Sequence, residues 1–508
     1  MKLPIGISTF QEIREGSYAY VDKTEFALRL IEGHKYVFLS RPRRFGKSLF
    51  LDTLKEIFEG NQGLFQGLYI HDRYKFEKFP VVKISFGGDL RNIEAITERI
   101  GVILDHCAKA LQVSCGKASV ANRFETLIRK AHERYGQKVV VLVDEYDKPI
   151  LDNIHHIETA TEARELLKAF YTIIKENDAY LRFVFLTGVS KFARVSIFSG
   201  LNNLDDVSLD RPYAALCGYT QKDVEATFGS MLEGVDMEKF RAWYNGYNFN
   251  GENVYNPFDV LLFISKGFLY RNYWFSTATP TFLVKLLSQQ EFFVPELENL
   301  RANETLVDSF DIEKLRIEPI LFQSGYLTID SIVEKPRGGL EYRLRIPNRE
   351  VQISFNDMVL DLLTGQATRL PDYQDGLYYA LQNGDMEALR TNLHALYAGI
   401  PYSHFTNNNI CRYEGYYASV FYACMASLGL RIIPEDITNR GRIDFTLVME
   451  DRVYIFEFKV TDEDPLKQVR EKRYFEKYLD TGKQVIIAGI RFDEKERNIS
   501  SMEWEIIR

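Results

Sequence analysis

Little in this 508-residue chain could brace it covalently. It has five cysteines, Cys107, Cys115, Cys217, Cys411 and Cys424, and no Cys-x-x-Cys pair. The odd count and the spacing argue against a disulfide framework and against a cysteine zinc site. Long apolar runs are missing too. No window approaches the ~18 uninterrupted apolar residues of a membrane span, and "MKLPIGISTF" at the N-terminus lacks the apolar core of a signal peptide. The expectation is a reduced, soluble, cytoplasmic protein with no membrane partner. Positive charge is also short, with a net charge of −8. A chain that held nucleic acid through its bulk field would be basic. Any contact with phosphate must therefore come from a local patch.

Apolar and aromatic residues are plentiful, and the length suits roughly three domains. Up to about residue 215, short apolar runs alternate with helical patterns. "YVFLS" (36–40), "PVVKISF" (80–86), "KVVVLVDE" (138–145) and "LRFVFLTG" (181–188) read as buried strands of a parallel sheet covered on both faces. The spacers are long enough for crossover helices, which gives a doubly wound α/β domain. Residues 216–400 read as a mostly helical region, lid-like or winged-helix-like, with a short strand at "FQSGYLTI" (322–329). From 401 to 508 the pattern is α+β: a helix over 413–429, two strands, a helix over 464–480, and the strand "QVIIAGIRF". No repeat or low-complexity segment interrupts it.

The stretch "SRPRRFGKSLF" (40–50) follows the first strand and runs into an amphipathic helix. Strand, loop, Gly-Lys-Ser and helix is the context of a phosphate loop. Gly46, with Phe45 and Leu49 beside it, would present backbone N–H groups at a helix N-terminus. Lys47 would reach the β/γ-phosphates of ATP, and the Ser48 hydroxyl would ligate Mg²⁺. The start of the loop is unusual, because Arg41 stands where glycine is expected and Pro42 lacks an N–H. About a hundred residues on, "VVVLVDE" ends in Asp144, placed to hold Mg²⁺, and Glu145, placed to polarise water. ATPases that use a glutamate there have an extra strand between the loop strand and the acidic strand, and 80–86 is the candidate for it. The strand at 181–188 brings up Thr187 as a γ-phosphate sensor, with Ser190 and Lys191 just beyond it and Arg194 as a cation for transition-state charge. The paired His155-His156 is discounted as a metal site, because adjacent residues on a helix diverge.

The second constellation is "GRIDFTLVMEDRVYIFEFKV" (441–460). Alternation puts Glu457 and Lys459 on one face of a strand and Phe456 and Phe458 on the other. With a two-residue turn at Glu450-Asp451, Met449 faces Arg452 and Asp444 falls opposite Glu457. Two carboxylates so close repel unless a cation lies between them. Mg²⁺ suits such oxygen ligands, and Lys459 could activate water or stabilise a phosphorane.

Together "YVDKT" (20–24), "SRPRRFGKSL" (40–49), "VDEYDKP" (143–149), "TGVSKFARVSIFSGLNNLDD" (187–206), "WYNGYNF" (243–249) and "VYNPFDVL" (254–261) resemble the AAA-ATPase-like proteins fused to a PD-(D/E)XK nuclease-like domain. The resemblance covers nearly the whole chain. It implies a P-loop NTPase-type sheet domain (1–215), a helical middle region (216–400) and a C-terminal restriction-endonuclease-like domain (401–508). It implies that "RPRRFGKS" is this family's form of the loop; physically, Arg41, Arg43 and Arg44 would add positive charge beside the phosphates in place of the missing backbone donor. It also implies that Asp22 and Lys23 lie near the site, that Glu414 is the first acid of the nuclease set, and that Gln468 is a polar position on the following helix, with Lys472 and Tyr474 nearby. The function expected is ATP binding and hydrolysis coupled to Mg²⁺-dependent cleavage of nucleic acid, DNA favoured, bound through a local basic patch. A homo-oligomer is compatible with this. The competing expectation is a signalling switch whose C-terminal domain binds nucleic acid or a partner without cutting.

Overall fold

Near-continuous apolar runs can pair side by side only where helices cover both faces, and the first sheet is built that way. In the computed structural model, β1 (Tyr36–Ser40), β2 (Val81–Ser85), β3 (Val139–Asp144), β4 (Leu181–Gly188) and β5 (Asp205–Asp206) form one parallel sheet in the order β2-β3-β4-β1-β5. Every residue of β1 and β3 is buried, as a doubly covered sheet requires. Residues 1–88, 90–154, 156–191, 203–275, 294–303, 317–401, 414–461 and 463–507 are described.

The order corrects one expectation. The strand lying between the loop strand β1 and the acidic strand β3 is β4, and the 80–86 run forms β2 on the far side of β3. Chain order does not fix sheet position, because a crossover can carry the chain past its neighbour.

Helix α1 (Lys47–Phe58) buries Phe50, Leu51, Leu54, Ile57 and Phe58 against the sheet, the spacing of one apolar helix face. Helix α2 (Pro257–Ser265) begins at Asn256, whose side chain accepts the Phe258 N–H. A small antiparallel sheet follows, β6 (Arg301–Asn303), β7 (Thr328–Glu334) and β8 (Leu340–Arg345), ordered β6-β8-β7. The expected strand at 322–329 is half helix: Ile317–Ser324 is helical and β7 starts at Thr328. Gly325, at φ 94°, makes the reversal, and a Cβ there would lie 2.8 Å from the Pro42 side chain.

The chain divides into two compact units. One comprises Met1–Phe282 with Arg301–Asn348, the other Leu283–Leu300 with Arg349–Arg508. The second unit opens with helices Arg349–Thr364, Leu370–Asn383 and Met386–Ala398, and continues with α3 (Glu414–Ser427). Then come β9 (Arg431–Thr438), β10 (Gly441–Val448), β11 (Arg452–Lys459), helix α4 (Pro465–Lys472), β12 (Gln484–Asp493) and β13 (Asn498–Ile506). The sheet order is β13-β12-β11-β10-β9, with β11 and β12 parallel and the other pairs antiparallel. Phe421 of α3 packs on Phe445, Phe456 and Phe458 from one face. Leu466 and Val469 of α4 join Val453, Ile455, Val485 and Ile487 on the other. The helix expected over 464–480 stops at Lys472. Arg473 turns left-handed (φ 50°), and Tyr474–Thr481 continues as 3₁₀ turns. No described helix is long and apolar enough to cross a membrane.

Candidate functional site

In the first unit, the loop after β1 curls at two left-handed positions, Arg44 (φ 68°) and Gly46 (φ 90°). Gly46 is the residue whose missing Cβ makes that conformation cheap, and it starts α1 with no side-chain cap. The first-turn N–H groups therefore remain available to an anion. A pocket of about 510 Å³ opens here. Arg43, Arg44, Phe45, Gly46, Lys47, Ser48 and Leu49 line it, with Lys23 and Glu145. Ile7, Val21, Pro257, Phe258 and Leu261 supply an apolar wall, so one cavity joins a cationic loop at a helix N-terminus to an apolar surface.

Lys47 is buried, and its Nζ donates to the carbonyl oxygens of Arg41 and Pro42, both at 2.9 Å. Burial lowers its pKa, opposed by Asp144. Asp144 ends β3, buried, with its Oδ1 accepting the Glu145 N–H at 3.1 Å. It does not line the pocket. Glu145 does, in a left-handed conformation (φ 53°). Burial and then Asp144 raise its pKa, which suits a group that must take a proton.

Other sequence candidates are engaged elsewhere. The Thr187 hydroxyl donates to the Leu39 carbonyl at 2.9 Å. Asp22 accepts the Thr24 N–H and hydroxyl through Oδ1 and the Tyr69 N–H through Oδ2. Lys23 pairs with Asp223 at 2.7 Å. Lys191 forms a buried ion pair with Asp206 at 3.0 Å. Arg194 and His155 lie outside the described residues. Arg41 is corrected: its guanidinium donates to the carbonyls of Ser40, Ser208 and Tyr213 and faces away from the pocket's lining.

Sequence reading missed Asp147. It is buried and lines the pocket, and it accepts the Val189 N–H (3.1 Å), the Ser190 N–H (2.7 Å) and the Ser190 hydroxyl (2.6 Å). It ties the tip of β3 to the tip of β4. The third acid of "VDEYDKP" was the available signal.

In the second unit, the β10–β11 ladder runs from Val448↔Val453 to Phe445↔Phe456, the register expected from a Glu450-Asp451 turn. The next residues outward are Asp444 and Glu457. The β9–β10 ladder also skips Asp444, beside Glu435 at φ 48°. Irregularities of this kind re-aim a side chain. Asp444 Oδ2 accepts the Phe458 N–H at 2.7 Å. Glu457 is 1% exposed, and its Oε1 accepts from Gln468 Nε2 of α4 and faces Lys459 Nζ at 3.5 Å. Its Oε2 is buried and accepts no hydrogen bond. Burial, then Asp444, pushes the Glu457 carboxyl up to about 8. Burial raises Asp444 as well. For Lys459, burial opposes the charge, but Glu457, Asp444 and Glu414 together hold the ammonium above its ordinary value. Glu414 starts α3 and is raised by burial and then by Asp444. Burial, followed by Glu457, raises the Tyr474 phenol, with Gln468 opposing the shift.

An under-compensated pair of carboxylates with an orphan oxygen fits a hard divalent cation. Among the described residues no three acidic, histidine or cysteine side chains converge on one point. The protein would therefore supply Asp444 and Glu457, leaving the other positions to water and phosphate oxygens. Cations around this site are matched by acids: Arg442–Glu435 (3.0 Å), Arg440–Glu476 (3.5 Å), Arg473–Glu476 (2.6 Å) and Arg470–Glu505 (2.7 Å).

The family described as "Predicted AAA-ATPase" matches residues 4–198, and the PD-(D/E)XK nuclease superfamily matches residues 412–502. The chain is 49% identical over 505 residues to "Uncharacterized protein in vnfD 5'region" of Azotobacter chroococcum mcd 1, covering 98% of both chains. No solved structure matches it. The chain belongs to the AAA-ATPase-like family that carries a C-terminal PD-(D/E)XK nuclease superfamily domain.

Proposed function

We propose that this family member binds and hydrolyses ATP with Mg²⁺ in its first unit and uses the nucleotide state to govern metal-dependent cleavage of nucleic acid, favouring DNA, by its second. The observation that carries the cleavage reading is Glu457 Oε2, a buried carboxylate oxygen without a hydrogen-bond partner, on a side chain next to Asp444 in the strand register and whose other oxygen, Oε1, faces Lys459. A bound Mg²⁺ would polarise the scissile phosphate and lower the pKa of its water. Asp444 and Glu457 would hold it, with Glu414 at the margin. Gln468 fixes the Glu457 carboxylate, and Lys459 offers a proton donor and a positive charge where the phosphorane's charge develops. In the first unit, Lys47 and the α1 N-terminus would receive the phosphates, Ser48 would serve the metal directly and Asp144, which does not line the pocket, only through water, and Glu145 would orient the attacking water.

One observation favours a second reading, a switch that binds without cutting. The cations flanking the second site are already paired with Glu435, Glu476 and Glu505, which weakens the field that would draw in a polyanion. Two measurements separate the readings. Calorimetry of ATP–Mg²⁺ binding should show affinity in the wild type and its loss in Lys47→Ala. Incubation of plasmid, linear and single-stranded DNA and RNA with Mg²⁺ or Mn²⁺ should show cleavage that Asp444→Ala abolishes. Nucleotide binding without cleavage of any substrate would favour the switch.

A further inference from the structure

The segment "WYNGYNF" (243–249) belongs to neither chemical centre, yet it grips the phosphate loop from behind. Phe249 lies under the Arg41 guanidinium, 4.1 Å from ring centre to Cζ. The same ring meets Phe45 edge-on at 5.6 Å, and Tyr247 meets Phe45 edge-on at 4.8 Å. Phe249 therefore touches both the first residue of the loop and the residue before Gly46. The segment is itself fixed. The Asn248 N–H donates to Thr328 Oγ1 at 2.7 Å, that hydroxyl donates back to the Asn248 carbonyl at 3.1 Å, and Arg345 Nη2 donates to the Gly246 carbonyl at 3.0 Å. Gly246, at φ 122°, lies so close to Pro347 that a Cβ would run into its carbonyl oxygen.

Arg41 is 1% exposed. Its Nη1 donates to Ser40 O (2.9 Å) and Ser208 O (2.6 Å), and its Nη2 to Tyr213 O (3.1 Å). A planar fork can meet several carbonyls and stack on a ring at once, and an ammonium cannot. Arg41 is not in the left-handed region, which Arg44 and Gly46 occupy instead. The glycine usual at this position is therefore replaced by a residue held through its side chain. Its placement matters to the site, because the carbonyls of Arg41 and Pro42 are the two that receive Lys47 Nζ.

We infer that Arg41, clamped by the 245–249 segment, is a positioning residue that sets the phosphate loop and the aim of Lys47. This rests on reading that loop as a nucleotide site. The test uses the full chain, with ATP–Mg²⁺ and inorganic tripolyphosphate as probes in calorimetry and circular dichroism to verify the fold. Arg41→Gly restores the glycine usual in such loops, yet affinity for both probes should fall at least about tenfold, the equivalent of one hydrogen bond to a charged group. Phe249→Leu keeps the site apolar but removes the stacking ring, and should weaken both probes in the same ratio. Arg41→Lys should recover only part of the loss. Folded Arg41→Gly that binds as tightly as wild type would overturn the inference. If that variant does not fold, wild-type affinity in Phe249→Leu would overturn it. Wild-type protein that binds neither probe would instead refute the nucleotide reading itself.

Discussion

Asp444 and Glu457 are each held in place at the end of one strand pair: Asp444 Oδ2 takes the Phe458 N–H at 2.7 Å, and Gln468 Nε2 donates to Glu457 Oε1. Neither acid can swing away from the other, so their repulsion is built into the fold. Burial first, and the Asp444 charge after it, keep the proton on the Glu457 carboxyl up to about pH 8.

That proton gives a pH signature. Metal must displace it, so Mn²⁺ affinity should climb as pH rises from 6 through about 8 and then level. The metal-free protein should behave in the opposite sense. The folded state holds the proton up to about 8, while the unfolded carboxyl releases it near its ordinary value of 4.5. Between those values the folded state binds more protons, so this group's contribution to stability is lost as pH rises. Thermal melts of metal-free protein across pH 5–9 should show the decline, and saturating Mn²⁺ should remove it. A flat Mn²⁺ affinity across this range would contradict the assignment.

Lys459→Ala should reduce cleavage by about 10²–10³-fold, the usual cost of one electrostatic stabiliser. Lys459 also holds the Glu457 pKa down, so its loss should shift the rise in Mn²⁺ affinity to higher pH. ATP binding should be unchanged. Cleavage rates and Mn²⁺ titrations on one preparation test both effects.

Glu145→Gln should bind ATP as the wild type does and lose about 10²–10⁴-fold in hydrolysis, the range for a positioned general base. Single-turnover phosphate release measures this. Equal loss of binding would show that Glu145 supports the pocket's structure and leaves the water alone.

Gly246→Ala should destabilise the first unit by more than about 3 kcal/mol, because a methyl group at φ 122° meets backbone and not a flexible side chain. Chemical denaturation of the variant reads this directly, and a loss under about 1 kcal/mol would show that the backbone around Pro347 yields.

The sheet strands were legible because buried parallel strands are written as apolar runs, and the β10–β11 register was legible because a two-residue turn leaves one way to count. The placing of Asp444 opposite Glu457 followed from that register. Other features are set by contacts distant in sequence. That β4 lies between β1 and β3 depends on where crossovers land. That Asp147 joins two strand tips depends on Ser190, 43 residues away. Arg41 looked like a loop cation, because only the carbonyls of 208–213 and the Phe249 ring show that it is consumed. The break at Arg473 carried no glycine or proline to announce it.

The most direct test is cleavage of relaxed plasmid DNA with Mg²⁺ or Mn²⁺, with and without ATP, by wild type, Lys459→Ala and Lys47→Ala. The expected result is cleavage by the wild type that depends on ATP, loss in Lys459→Ala at every nucleotide condition, and loss of the ATP response in Lys47→Ala. Wild-type protein that binds both ATP and metal yet leaves the DNA intact, or that cuts equally well with Lys459 removed, would contradict the nucleotide-governed nuclease.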